Sequence, residues 1–130
     1  MPSRERVNAF VAAVRDGRYV EAIADFYAVD ASMQENLSPP RRGRDLLIAG
    51  EKAMLSQMKR IVTRRASPVL VDGDRVVIGW EFELTGPDGQ VRRLNELALQ
   101  TWKDDQIIEE QFYYDPAQTV TVVEPAETLT

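Results

Sequence analysis

The sequence predicts an α+β domain in which three helices pack on one face of a curved antiparallel sheet. Three observations predict it. Apolar residues recur at helical spacing in the first part of the chain, as Val7, Phe10, Val11 and Val14, then as Tyr19, Ala22, Ile23 and Phe26. From residue 61 onward, apolar and polar residues alternate in long runs. Three turn signals divide those runs: Asp72-Gly73, Pro87-Asp88-Gly89 and Lys103-Asp104-Asp105-Gln106.

Each element follows from local chemistry. The first helix ends at Asp16-Gly17, where glycine accepts the left-handed conformation of a helix stop. The second follows at once. Ala31 to Leu37 alternates over a short span and reads as a strand, stopped by Pro39-Pro40. A third helix is expected from about Arg44 to Arg60, with Leu47, Met54, Met58 and Ile61 on its buried side and Gly50 allowing close approach. The turn signals then leave four strands, at about 61–71, 75–85, 91–102 and 106–114. The chain is one domain over residues 1–116. The tail, 117–130, is small and polar apart from Val120, Val122 and Val123, which could add a short strand; its last residues are expected to be loose.

Composition narrows the function. The 130 residues suffice for one core, and 44% hydrophobic with 28% charged residues is ordinary for a globular chain. A net charge of −5 offers no footprint for nucleic acid. No apolar run is long enough for a membrane span, and the start MPSRERVNAF lacks an apolar signal core, so a cytoplasmic protein is expected. There are no cysteines and no histidines. Disulfides, thiol nucleophiles and serine–histidine triads are therefore excluded, and zinc and non-haem iron lose their usual ligands. No metal site is expected: Asp72-Gly73-Asp74 and Asp104-Asp105 read as turns, and nothing else resembles an oxygen cage. Any acid–base chemistry falls to Asp, Glu, Tyr or Lys.

Strand parity shows which of these groups face inward. Val76, Ile78, Trp80, Phe82 and Leu84 share one face, which must be the core face. In the early strand Met33, Glu35 and Leu37 share a face, so Glu35 lies between apolar neighbours. A carboxylate there must pair or take a proton. Parity alone leaves 91–102 open: Asn95, Leu97, Leu99 and Thr101 oppose Glu96, Ala98, Gln100 and Trp102. In the last strand Ile108, Glu110, Phe112 and Tyr114 oppose Ile107, Glu109, Gln111, Tyr113 and Asp115.

The order of elements, with FVAAVRDGRYVEAIADFYAVDASMQEN at 10–36, GRDLL at 43–47 and IIEEQFYYDP at 107–116, resembles the nuclear transport factor 2-like superfamily, and within it the SnoaL-like and ketosteroid isomerase-like group. The resemblance implies a cone-like fold with a central cavity. It places Glu35 where the isomerases carry their general base. Phe10 stands where they carry a donor tyrosine, and Ala98 where they carry a protonated aspartate. The base is thus kept without the isomerase oxyanion hole, which argues against steroid isomerisation. The resemblance also turns Glu96, Gln100, Trp102, Glu110, Phe112 and Tyr114 inward. Leu97 and Leu99 then lie on the outer sheet face, where a homodimer is expected.

The candidate catalytic residues are therefore Glu35, Glu96 and Glu110. The candidate ligand contacts are Phe10, Met33, Trp80, Phe82, Gln100, Trp102, Phe112 and Tyr114. The expected ligand is a small apolar or amphipathic molecule and no cofactor is needed. One function class is an isomerase, cyclase or dehydratase with Glu35 as base. Another is a non-catalytic dimeric binding module. Epoxide hydrolysis, with an acid pair and an arginine activating water, is a third. The inward acids could instead pair with arginines such as Arg64 or Arg93. The basic run Arg41-Arg42-Gly43-Arg44 is expected as a solvated loop before a helix, or as a loop at the pocket mouth.

Overall fold

The computed structural model describes residues 1–124 and has the expected class. Helix α1 spans Arg4–Arg15, with the Ser3 hydroxyl capping its first turn by accepting from the Arg6 N–H. It stops at Gly17, φ 78°, where the Arg18 N–H reaches back to the Ala13 carbonyl at 2.9 Å. Helix α2, Tyr19–Phe26, runs directly into strand β1, Tyr27–Glu35.

That strand begins at Tyr27 rather than Ala31 and ends at Glu35 rather than Leu37. Asn36 is the cause. It takes a left-handed conformation, φ 49°, and its N–H bonds the Phe112 carbonyl while its Oδ1 accepts from the Tyr114 N–H. The alternation breaks there. Leu37, expected inward beside Glu35, is 87% exposed.

A two-residue strand, β2 (Arg41–Arg42), pairs with β1 and was not anticipated. Helix α3 spans Arg44–Gln57, and of its expected apolar side only Leu47 is fully buried. Strands β3 (Arg60–Asp72), β4 (Arg75–Thr85), β5 (Val91–Lys103) and β6 (Gln106–Tyr113) follow with the expected turns between them. The sheet order is β2-β1-β6-β5-β4-β3. All neighbours are antiparallel except β1 and β6, which run parallel. Register shifts in β3, at Thr63/Arg65 and Ala66/Val69, mark bulges that bend the sheet. At the second shift the Ser67 carbonyl comes so close to Gly79 that a Cβ there would lie 2.4 Å from it. Only glycine fits that crossing.

The helices cover the concave face. Thr63 fastens them to β3: its hydroxyl donates to the Val14 carbonyl at 2.8 Å and lies 2.9 Å from the Tyr19 hydroxyl. Phe10 is the centre of the core. Its ring makes edge contacts with Phe26, Tyr27, Trp80 and Trp102, at centroid distances from 5.4 to 6.4 Å. On the convex face, Leu70, Val77 and Leu99 follow one another across β3, β4 and β5, with Leu97 paired to Tyr113 beside them. Leu70, Leu97 and Tyr113 are exposed.

The tail turns back on β5. After a short 3-10 turn, Pro116–Thr119, the Gln118 side chain pairs with the backbone of Asn95 in both directions. The added strand is reduced to one bridge, Val91 to Val123. The loose end expected for the last residues falls at 125–130, outside the described residues. No helix among the described residues is long and apolar enough to cross a membrane.

Candidate functional site

Between the helices and the concave sheet face lies a cavity of about 200 Å³. Parity and register explain its lining. β4 contributes Trp80 and Phe82, stacked at 5.7 Å. β1 contributes Tyr27, Met33 and Glu35, β5 contributes Glu96, and β6 contributes Glu110 and Phe112. Phe10 and Tyr19 close it from α1 and α2, Glu51 from α3, and Arg41 from β2.

Glu110 is the most constrained of these groups. It is 3% exposed, and both its oxygens accept hydrogen bonds. The Tyr27 hydroxyl donates to Oε1, and Gln100 Nε2 donates to Oε2 at 2.7 Å. The Gln100 amide has only one possible orientation. Trp102 Nε1 can only donate, and it donates to Gln100 Oε1 at 2.9 Å, so the amide nitrogen must face Glu110. The buried relay thus runs from Trp102 to Gln100 to Glu110. Burial pushes the Glu110 carboxyl up to about 7, against the pull of its two donors, and the charges of Glu35 and Glu51 add to the rise.

Glu96 is partly buried and pushed up further, to about 8, first by desolvation and then by the charges of Glu110, Glu35 and Glu51. Glu51 is raised by burial, with Arg41 pulling it down and Glu35 pushing it up. Tyr27 is raised well above its ordinary value by burial and by Glu110, so it remains a donor. Glu35 stands at the rim, its side chain 39% exposed, in an ion pair with Arg41 at 2.9 Å. Gly50 makes room for that arginine: a Cβ on Gly50 would touch the guanidinium at 3.4 Å.

Eight of the eleven sequence-derived site residues line the cavity: Phe10, Met33, Glu35, Trp80, Phe82, Glu96, Glu110 and Phe112. Gln100 and Trp102 do not. They face inward as expected but stand behind Glu110 and orient it. Tyr114 also lies outside the lining, half-buried just past the end of β6. Its hydroxyl is raised by burial, then by the charges of Glu35 and Glu96. Neither Arg64 nor Arg93 meets an inward acid: Glu35 takes Arg41, and Arg93 faces Glu83 on the convex side at 3.8 Å. The basic run is not a free loop, since each arginine reaches β1. Arg41 binds Glu35, Arg42 donates to the Asp30 carbonyl and Arg44 to that of Tyr27.

Tyr27, Arg41 and Glu51 are polar lining residues that were not among the sequence-derived candidates. Tyr27 lay before the strand as drawn. Arg41 was left between two roles. Glu51 carried a legible signal, because it sits four residues after Leu47 on the very stripe assigned to the core.

Comparison with solved structures gives the same fold. A proposed polyketide cyclase from Xanthomonas campestris pv. campestris is 23% identical, with a TM-score of 0.77 over 89% of this chain and 92% of that one. A proposed SnoaL-like polyketide cyclase from Jannaschia sp. CCS1 is 17% identical, with a TM-score of 0.75 over 89% and 90%. A hypothetical protein with a ketosteroid isomerase-like fold from Catenulispora acidiphila DSM 44928, in complex with trimethylamine, is 18% identical, with a TM-score of 0.73 over 89% of each chain. No curated protein sequence matches the chain. The SnoaL-like domain model matches residues 7–110, a range that includes all four acids of the cavity, Glu35, Glu51, Glu96 and Glu110. The chain belongs to the SnoaL-like domain family.

Proposed function

We propose that this chain is a cofactor-independent enzyme that moves a proton on a compact, mostly apolar carbonyl compound, as in isomerisation, cyclisation or dehydration. The observation that carries the proposal is the divided state of the cavity acids. Glu35 is held at the rim in an ion pair with Arg41, while Glu110 and Glu96 are raised to about 7 and about 8 and hold protons near neutrality. Carboxyl groups placed in environments this different can serve as base and acid in one site. Glu35 would take the proton beside the carbonyl, and the C–H electrons would pass to the carbonyl oxygen. A protonated Glu96 would donate a hydrogen bond to that oxygen, replacing the donors missing at Phe10 and Ala98. Return of the proton to a different carbon completes an isomerisation.

The test is deuterium exchange beside the carbonyl of cyclic ketones and β-diketones, followed by NMR. Wild-type protein should accelerate exchange, and Glu35→Gln should slow it by about 100-fold or more, within the range of a lost general base. Binding of the panel without exchange would sink the enzymatic reading. A non-catalytic ligand carrier is the second reading. It is favoured by the same network, because Glu110 and Glu35 already have partners within the protein. Epoxide opening would draw on the Glu35–Arg41 pair instead.

We further infer a cytoplasmic homodimer, joined through the convex patch of Leu70, Val77, Leu97, Leu99 and Tyr113, since apolar patches on an open sheet face are usually covered. Sedimentation equilibrium should give twice the chain mass, and Leu97→Glu with Leu99→Glu should give monomers. A wild-type monomer at micromolar concentration would refute it.

A further inference from the structure

We propose that the cavity is selective for an organic cation, a compact aromatic or cyclic molecule carrying an ammonium group. The proposal names the ligand class of the site described above. It requires that the cavity bind a ligand, but not that any chemistry follow.

The cavity combines two features that a neutral ketone does not need. The first is an excess of acid. Glu35, Glu51, Glu96 and Glu110 reach it from four different elements, and among the described residues Arg41 is the one cation that lines it. Arg41 is committed at the rim to Glu35. Among the described residues no cation pairs with the inner acids, Glu96 and Glu110, and the partners that Glu110 has are neutral. The second feature is an aromatic wall. The stacked Trp80 and Phe82 rings, with Tyr19 set edge-on to Phe82 at 6.2 Å, present faces and edges to the same space. Aromatic faces attract cations, more strongly where water is excluded. An ammonium placed between this wall and the two inner acids would receive both interactions at once.

The acids now relieve their repulsion by holding protons. A bound cation would do the same work without them, so binding should expel protons from Glu96 and Glu110. Every charged or titratable group facing the site bears on this sign. Arg41 opposes a second cation, Glu35 and Glu51 support it, and the raised hydroxyls of Tyr19, Tyr27 and Tyr114 stay neutral throughout the range. The affinity for a cation of fixed charge should therefore rise with pH between about 6 and 8.5, as the two acids ionise.

The experiment uses phenyltrimethylammonium, which cannot titrate, and tert-butylbenzene, its neutral counterpart of the same shape. Binding of each to the full chain is followed by NMR at pH 6.0, 7.0 and 8.5, and the proton balance by calorimetry in two buffers. The cation should bind at least about tenfold tighter than the neutral compound at pH 8.5, lose about tenfold by pH 6.0, and release protons on binding. Glu96→Gln should weaken the cation at least about fivefold more than it changes tert-butylbenzene. Glu96 is only partly buried, and this variant leaves the relay from Trp102 through Gln100 to Glu110 in place. Equal affinity for the two compounds overturns the proposal, as does a cation affinity that ignores pH, or tert-butylbenzene binding alone. The last outcome would leave the carbonyl-directed reading standing. Conversely, cation binding in a protein that exchanges no protons on ketones would refute that reading and not this one.

Discussion

Tyr27 illustrates how one side chain can set the state of another. Its hydroxyl donates to Glu110, and that bond favours the charged carboxylate against the desolvation that opposes it. Tyr27→Phe keeps the ring against Phe10 and removes only the donor. The Glu110 carboxyl should then titrate above about 7, by about one unit if the lost bond is of ordinary charge-assisted strength. Carboxyl-carbon NMR reads the change, and an unshifted or lowered titration would contradict the arrangement. The hydroxyl also bears on ancestry of the site. Where the resemblance places a tyrosine, this chain has Phe10, yet a phenol packs on that ring from β1. The phenol was not legible in the sequence, because Tyr27 follows Phe26 without a break in hydrophobicity, and only the structure shows that α2 gives way to β1 between them.

At the level of elements, alternation was a reliable guide and boundaries were not. The inward faces of β4, β5 and β6 came from parity, with the resemblance choosing between the two options for the last two. Register then aligned Trp80 with Glu96 and Gln100 with Glu110. The end of β1 failed because Asn36 reverses its backbone, and nothing in alternating residues announces a positive φ. β2 was missed because two arginines after two prolines carry no strand pattern. The strand crossing at Gly79 gives a sharper test of element packing. Gly79→Ala would press a methyl group into the Ser67 carbonyl, a contact with backbone that cannot simply rotate away. A loss of about 3 kcal/mol, the upper end of ordinary overpacking, is expected in urea unfolding. Gly73→Ala is the control. It has open space around its added methyl at φ 60°, so it reports backbone conformation alone, about 1–2 kcal/mol. A loss at Gly79 no larger than that at Gly73 would show that the crossing is looser than described.

For the whole molecule, the cavity acids couple stability to pH. Glu110 and Glu96 are raised to about 7 and about 8 in the folded state, from an unperturbed 4.5. Between these limits the folded protein holds more protons than the unfolded chain, so stability falls as pH rises through the window. The contribution is complete below about 4.5 and gone above about 8. Urea midpoints should therefore be higher at pH 5.5 than at pH 8.5, and Glu110→Gln should flatten the difference. The amide introduced at that position can still accept from Gln100 and donate to the Tyr27 oxygen, which makes the variant compatible with the fold. A wild-type midpoint that rises over this range would overturn the protonation states assigned to the cavity.

The parallel pairing of β1 with β6 has a consequence in time as well as in space. β3 to β6 form a meander of neighbouring hairpins, each closing a short stretch of chain. β1 meets β6 only after nearly the whole chain has been made and its distant ends brought together. Pairings of such long range are slow, because the entropy of closing the loop is lost before any contact repays it. Met33 opposite Glu110 and Glu35 opposite Phe112 belong to that late seam. Contact order thus predicts that the cavity closes late in folding, and a nascent chain that still lacks β6 lacks Glu110 and Phe112 from its wall.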